Sequence, residues 1–238
     1  MDSHTNKPKL HISINADDRL VSYLEAKGYE ICPVSSFGTV TPQISDHADV
    51  FYCRMGAESA TQVIAAGTKN LTEAYPGDCA YNAACTGKYL ICRVASTAPE
   101  ILEFARERGM QVINVRQGYA KCSAVVVDEN SIITYDRGIA KACAAAGGRI
   151  IEAAAGAKAC AAAGGLTVLL VSPGHVLLPG LDTGFIGGAS GRVGDEIIFN
   201  GDLSAHPDFV AIVSFIESRG LRCKWFPEWP LTDIGSIV

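Results

Sequence analysis

The order of its short elements constrains this chain more than any other feature. A hairpin, a helix and one further strand recur along the sequence at a spacing of roughly 40 residues. The clearest unit has strands at 81–85 and 89–94 around a Thr86-Gly87-Lys88 turn. Ser96 or Thr97 then caps a helix with Pro99 in its first turn, an apolar side of Ile101, Leu102 and Ala105, and Gly109 as its stop. A strand at 111–115 closes the unit. The same grammar predicts strands at 123–127 and 131–135, a helix from about Gly138 and a strand at 167–171. It returns as strands at 185–189 and 196–199, a helix over 208–218 stopped by Gly220, and a strand at 221–226.

The first third is less regular. Residues 10–14 alternate as a strand, Asp17 or Asp18 caps a helix that runs to Ala26 and stops at Gly28, and 29–34 is a strand. A short strand at 50–53 and a helix over 59–66 follow. Residues 231–238 begin another unit with no helix after it, which the N-terminal strand–helix–strand completes if the two ends pair. The expectation is one α/β domain over 1–238, built from about five ββαβ units in a ring closed through its termini. A doubly wound parallel sheet would need single strands between helices, and the hairpins argue against it.

One segment breaks the grammar. Residues 140–148 recur at 157–165, an offset of 17 in an Ala-rich run, as a tandem duplication would leave. Alanine favours helix and Gly-Gly ends it, so two short helices or one bulging extension are expected at about 140–165. The insert reads as tolerated and functionally empty, with a homo-oligomer contact as the alternative.

Composition excludes several classes. Hydrophobic residues make up 48% and charged residues 19% of the 238, enough for a large core. The net charge is −5 and no Lys/Arg cluster stands out, so a nucleic acid or an anionic membrane surface is not the expected partner. No apolar run is long enough to span a bilayer. The nine cysteines are odd in number and form no CxxC, which fits a reducing, cytoplasmic setting.

Several stretches resemble a known superfamily. Residues 78–93, Asp-Cys-Ala-Tyr-Asn-Ala-Ala-Cys-Thr-Gly-Lys-Tyr-Leu-Ile-Cys-Arg, followed by Ala98-Pro99-Glu100, resemble the acidic-residue–strand–strand–helix unit of the penteins. These are guanidine-modifying enzymes: arginine deiminases, dimethylarginine hydrolases and amidinotransferases. Leu181-Asp182-Thr183-Gly184-Phe185 is similar to the segment after their catalytic histidine, and residues 232–238 to the Gly-rich lead-in to their catalytic cysteine. Residues 114–123, 172–175, 184–191 and 230–237 are closer still to an uncharacterised family assigned to that fold. The resemblance implies a pentein-like α/β-propeller around a central channel. Two positions depart from it: Gly180 stands where the enzymes carry histidine, and no cysteine follows Val238. A ribosome anti-association factor with the same fold catalyses nothing.

The candidate residues follow from these placements. Cys122, where a unit enters its first strand, would face the channel as a nucleophile toward an amidine or guanidinium carbon. His175, in the Ser172-Pro173-Gly174-His175 loop after a strand, is the matching base. Asp78 and Asp182 would hold a cationic guanidinium through charge-assisted hydrogen bonds. Asn82, Ser190 and Ser236 complete the substrate-binding set. His47 has no second histidine at ligand spacing, so no metal and no cofactor is expected. The leading expectation is a Cys-dependent hydrolase or transferase of a small guanidine-like or amidine-like molecule. A non-catalytic domain that binds a small polar ligand, or an interaction module on the same fold, is the alternative.

Overall fold

A computed structural model of the chain describes residues 7–35, 40–58, 61–67, 71–153 and 165–238. Their elements form five separate sheets. The first holds β1 (Lys9–Ser13) and β2 (Glu30–Val34), parallel and joined through α1 (Asp18–Ala26). Asp17 caps α1 by accepting from the Arg19 amide. The second sheet is the antiparallel pair β3 (Tyr52–Arg54) and β4 (Val63–Ala65), preceded by the one-turn helix α2 (Ala48–Phe51).

The other three sheets follow the expected grammar. The third contains β5 (Ala84–Cys85), β6 (Tyr89–Cys92), α3 (Pro99–Glu107) and β7 (Gln111–Asn114). The fourth contains β8 (Ala124–Asp128), β9 (Ser131–Thr134), α4 (Arg137–Ala145), β10 (Arg149–Glu152) and β11 (Thr167–Leu170), in the order β10-β11-β9-β8. The fifth contains β12 (Ser190–Val193), β13 (Glu196–Phe199), α5 (Phe209–Glu217) and β14 (Arg222–Lys224). In each of these, an antiparallel hairpin leads through a helix to a strand parallel to the hairpin's second strand.

Alternation along the strands explains how the sheets stack. In the fourth sheet Val125, Val127, Ile133 and Leu169 enter one apolar cluster, which they share with Ile197, Phe199 and α5. Their neighbours Ala124, Val126, Ile132 and Val168 enter another, shared with Ala84, Ile91 and Ile113 of the third sheet. Both faces of this sheet are therefore core, which is why β8, β9 and β11 read as unbroken apolar runs. A third cluster joins the third sheet to Cys53 of the second and to Met55 just after β3. A fourth joins β1 and α1 to Val193 and Ile198. A fifth gathers Val34, α2 and Val238. The ends of the chain meet here: the His11 amide donates to the Val238 carbonyl at 2.6 Å and the Val238 amide to the His11 carbonyl at 3.0 Å. Among the described residues, no helix is long and apolar enough to cross a membrane.

The differences from expectation are local. Part of the helix expected over 59–66 is strand β4. The strand expected at 50–53 is split between α2 and β3. Residues 185–189 form no strand, 186–189 being a turn, and the hairpin starts at Ser190 instead. The helix of the third unit begins after Ala98, which makes no side-chain cap, while Ser96 and Thr97 donate back to the Arg93 carbonyl. The first Ala-rich copy completes α4, and β10, an extra edge strand, follows it. Most of the second copy lies outside the described residues.

Ile133 is buried on the central strand β9 and packs against strands of two sheets. Ile133→Ala is expected to cost about 2–5 kcal/mol in urea unfolding, whereas truncating the exposed Val210 of α5 changes it by less than about 0.5 kcal/mol.

Candidate functional site

The segments that lead into the sheets converge on one buried carboxylate. Asp49, on α2 just before β3, has no exposed surface. Its Oδ2 accepts from the Cys122 thiol at 2.9 Å and from the Ser236 hydroxyl at 2.6 Å. Cys122 precedes β8, and Ser236 lies in the C-terminal segment. Asn82, shortly before β5, ties the same centre together. Its Oδ1 accepts from the Lys121 and Cys122 amides at 2.8 and 3.1 Å, and its Nδ2 donates to Cys122 Sγ at 3.2 Å. Lys121 Nζ donates to Ser236 Oγ at 2.8 Å and to the Gly187 carbonyl at 3.2 Å. A chain of contacts thus runs Lys121–Ser236–Asp49–Cys122–Asn82.

A second carboxylate stands beside this chain. Asp233 is 2% exposed and accepts from the Phe185 and Gly235 amides, each at 2.9 Å. His47 Nδ1 lies 3.8 Å from Asp233 Oδ1, too far for a hydrogen bond. Backbone approaches this close need glycine. A Cβ on Gly188 would sit 2.1 Å from Asp233 Oδ1, and one on Gly235 2.2 Å from the His47 Cβ.

Burial governs the electrostatics. It pushes the Cys122 thiol well above the ordinary range, and the charges of Asp49 and Asp233 push it further. Burial lowers the Lys121 ammonium, with the same carboxylates pulling the other way. Asp233 is raised to about 6, chiefly by burial. Two buried polar atoms, His47 Nδ1 and Asp49 Oδ1, have no hydrogen-bond partner among the described residues. Both belong to a set of three, His47, Asp49 and Cys122, whose ligand atoms all lie within 4.8 Å of one another. An imidazole nitrogen, a carboxylate oxygen and a sulfur make a donor set suited to a zinc-type ion. His47 and Asp233 also line a cleft of about 220 Å³ with Ser13, Asn15, Gln43 and Asp46. The cleft reaches the site at His47 and Asp233, while Asp49 and Cys122 do not line it.

The structure joins some of the residues expected from sequence and separates others. Cys122, Asn82 and Ser236 form the centre described above. Ser190 is buried beside it and its hydroxyl lies 3.3 Å from the Gly187 carbonyl. Asp78 is buried one tyrosine away: Tyr119, three residues before Cys122, donates to its Oδ2, while Oδ1 lacks a partner among the described residues. Asp182 and His175 are exposed. The His175 ring packs edge-on against His206 at 5.1 Å, and among the described residues no hydrogen bond or ion pair connects it to Cys122. Sequence reasoning did not find Asp49 and Asp233, and it set His47 aside. Their signal was positional: each lies in the lead-in to a unit, as Asn82 and Cys122 do.

Asp233 yields a direct test. Its folded-state value is raised, so the folded chain holds the proton more tightly than the unfolded chain. Its contribution to stability is full below about pH 4 and declines as pH rises toward 6. The carboxyl carbon of Asp233 is expected to titrate near 6 by NMR, with the wild type losing stability relative to Asp233→Asn over that interval.

No curated protein and no solved structure matches the chain. The family of unknown function DUF6873 matches residues 11–238, nearly the full length, and the chain belongs to that family.

Proposed function

We propose that this protein is a pentein-like α/β-propeller whose centre carries out thiol-dependent hydrolysis or group transfer on a small cationic guanidine or amidine. The observation that carries the reading is the Cys122 thiol hydrogen-bonded to buried Asp49, with Asp233 and His47 beside it. Asp233 on the cleft wall, with Asp49 buried near it beside His47, calls for a cation. A planar amidinium supplies charge together with N–H donors, including one for the unpartnered Asp49 Oδ1. Burial and, after it, the negative field of the carboxylates keep Cys122 protonated, and a seated cation cancels the field and so favours the thiolate.

The chemistry follows from these positions. The thiol proton passes to Asp49 as Cys122 Sγ bonds to the amidinium carbon. The carbon–nitrogen bond then breaks, and the departing amine or ammonia takes a proton from Asp233 or His47. Water, or an acceptor amine in a transferase, attacks the resulting thiouronium or thioimidate carbon and gives a proton back to Asp233 or His47; the released Cys122 thiolate recovers its proton from Asp49. The role of acid toward the leaving group, and of base toward the attacking water, suits His47, on the cleft wall, better than exposed His175. Asn82 and Ser236 orient the thiol and the carboxylate.

A second reading is a metal centre held by His47, Asp49 and Cys122, and the two unpartnered atoms favour it. One experiment separates the two readings. The native protein is incubated with a 2-haloacetamidine, with and without zinc. Labelling at Cys122 alone, suppressed by a competing guanidine but not by a neutral urea, supports the thiol reading. His47→Gln is then expected to lower turnover about 10²–10⁴-fold. Labelling blocked by stoichiometric zinc supports the metal centre. A Cys122 that labels no faster than the other cysteines in either condition removes the catalytic reading and leaves a ligand-binding domain.

A further inference from the structure

We infer that a second pocket, formed by Arg54, Lys121 and Arg192, is a binding site for a small oxyanion. It is lined by these three cations together with Tyr52, Ser190, small or apolar residues and Val238, whose carboxyl end makes no ion pair with them among the described residues, and no Asp or Glu side chain reaches its wall. The three come from different sheets: Arg54 ends β3, Lys121 leads into β8 and Arg192 lies in β12. This pocket shares none of its lining with the cleft at His47 and Asp233.

The cations are held in place but not neutralised. Arg54 Nη1 donates to the Arg192 carbonyl at 2.7 Å, while its buried Nε has no acceptor among the described residues. Arg192 donates from Nε to the Gly194 carbonyl and from Nη1 to the Val127 carbonyl, both at 3.1 Å. Lys121 is spent on Gly187 and Ser236. None of the three makes an ion pair among the described residues. Burial, with the Arg192 charge second to the weak opposing pull of Tyr29, brings the Arg54 guanidinium down to about 10. Carbonyls fix the direction of the two guanidinium groups but do not supply the missing negative charge.

An oxyanion completes both ledgers. It accepts from the unpartnered Arg54 Nε and provides a counter-charge to three converging cations. The pocket offers about 30 Å³ to the centres of water-sized atoms, which limits the ligand to a group of a few non-hydrogen atoms such as a carboxylate or phosphate. Tyr52 stacks on His11 at 3.9 Å and closes one side of the approach. The chain from Lys121 through Ser236 to Asp49 links this pocket to the thiol centre, but anion binding does not depend on that centre being catalytic.

The test is calorimetric titration of the full chain with inorganic phosphate, in chloride buffer at constant ionic strength. Saturable one-to-one binding is expected, weakened at least tenfold in Arg54→Gln and unchanged in Cys122→Ala. Without phosphate, Arg54→Gln should unfold at the same or a higher temperature than wild type, because it removes an uncompensated buried charge. If Arg54→Gln does not fold, Arg192→Gln serves, with the same tenfold weakening expected. Absence of saturable heat in the wild type, or equal affinity in the arginine variant, overturns the assignment.

Discussion

A buried carboxylate without donors is one of the costliest groups a protein can contain. Asp49 has no exposed surface, and its donors come from Cys122 and Ser236, 73 and 187 residues further along the chain. Neither bond forms until distant units have docked. The centre therefore reports correct assembly of the whole chain, and it concentrates polar chemistry where the sheets' leading segments meet. The Asn82 amide does the same for the Lys121–Cys122 turn, which has no regular structure of its own to satisfy its amides.

Around this centre the energy is apolar. Each strand of the fourth sheet divides its side chains between two clusters, so no sheet is stable without the next. Polar ties reinforce the seams. Glu196 of β13 is 6% exposed and takes Tyr23 and Lys27 of the first sheet's helix, at 2.8 and 2.9 Å. The termini add the His11–Val238 pair. An arrangement in which outer packing is apolar and the middle is polar leaves charged groups at the middle unable to relax into water. That explains why Asp233, Lys121 and Cys122 are all displaced from ordinary proton affinity, and displacement of this kind is common at functional sites.

Local signals were readable where they were self-contained. Asp17 caps its helix, Gly28 and Gly220 lie past helix ends with positive φ, and three hairpin–helix–strand units stand in the expected order. Misreadings fell where a distant partner decides conformation. Residues 185–189 are apolar and Gly-rich enough to pass for a strand. Instead, the Gly188 amide donates to the Cys122 carbonyl, and the Gly188 carbonyl accepts from Ile234 and Ser236, so the backbone is used as a connector. Residues 63–65 pair with β3 although their own pattern suits a helix.

The sequence by itself determined the α/β grammar, the near-continuous apolar strands and the presence of Cys122, Asn82 and Ser236 at the starts of units. Caps, stops and alternation act over a few residues, and a few residues suffice to read them. The tertiary structure alone decided which of these groups share a site. It put His47 and Asp49 against Cys122 with Asp233 beside His47, left His175 and Asp182 at the surface, and gathered Arg54, Lys121 and Arg192 around one pocket. Contacts of this kind span tens to hundreds of residues. They are set by how buried sheets stack and by where unpaired polar atoms find partners, neither of which leaves a local pattern in the chain.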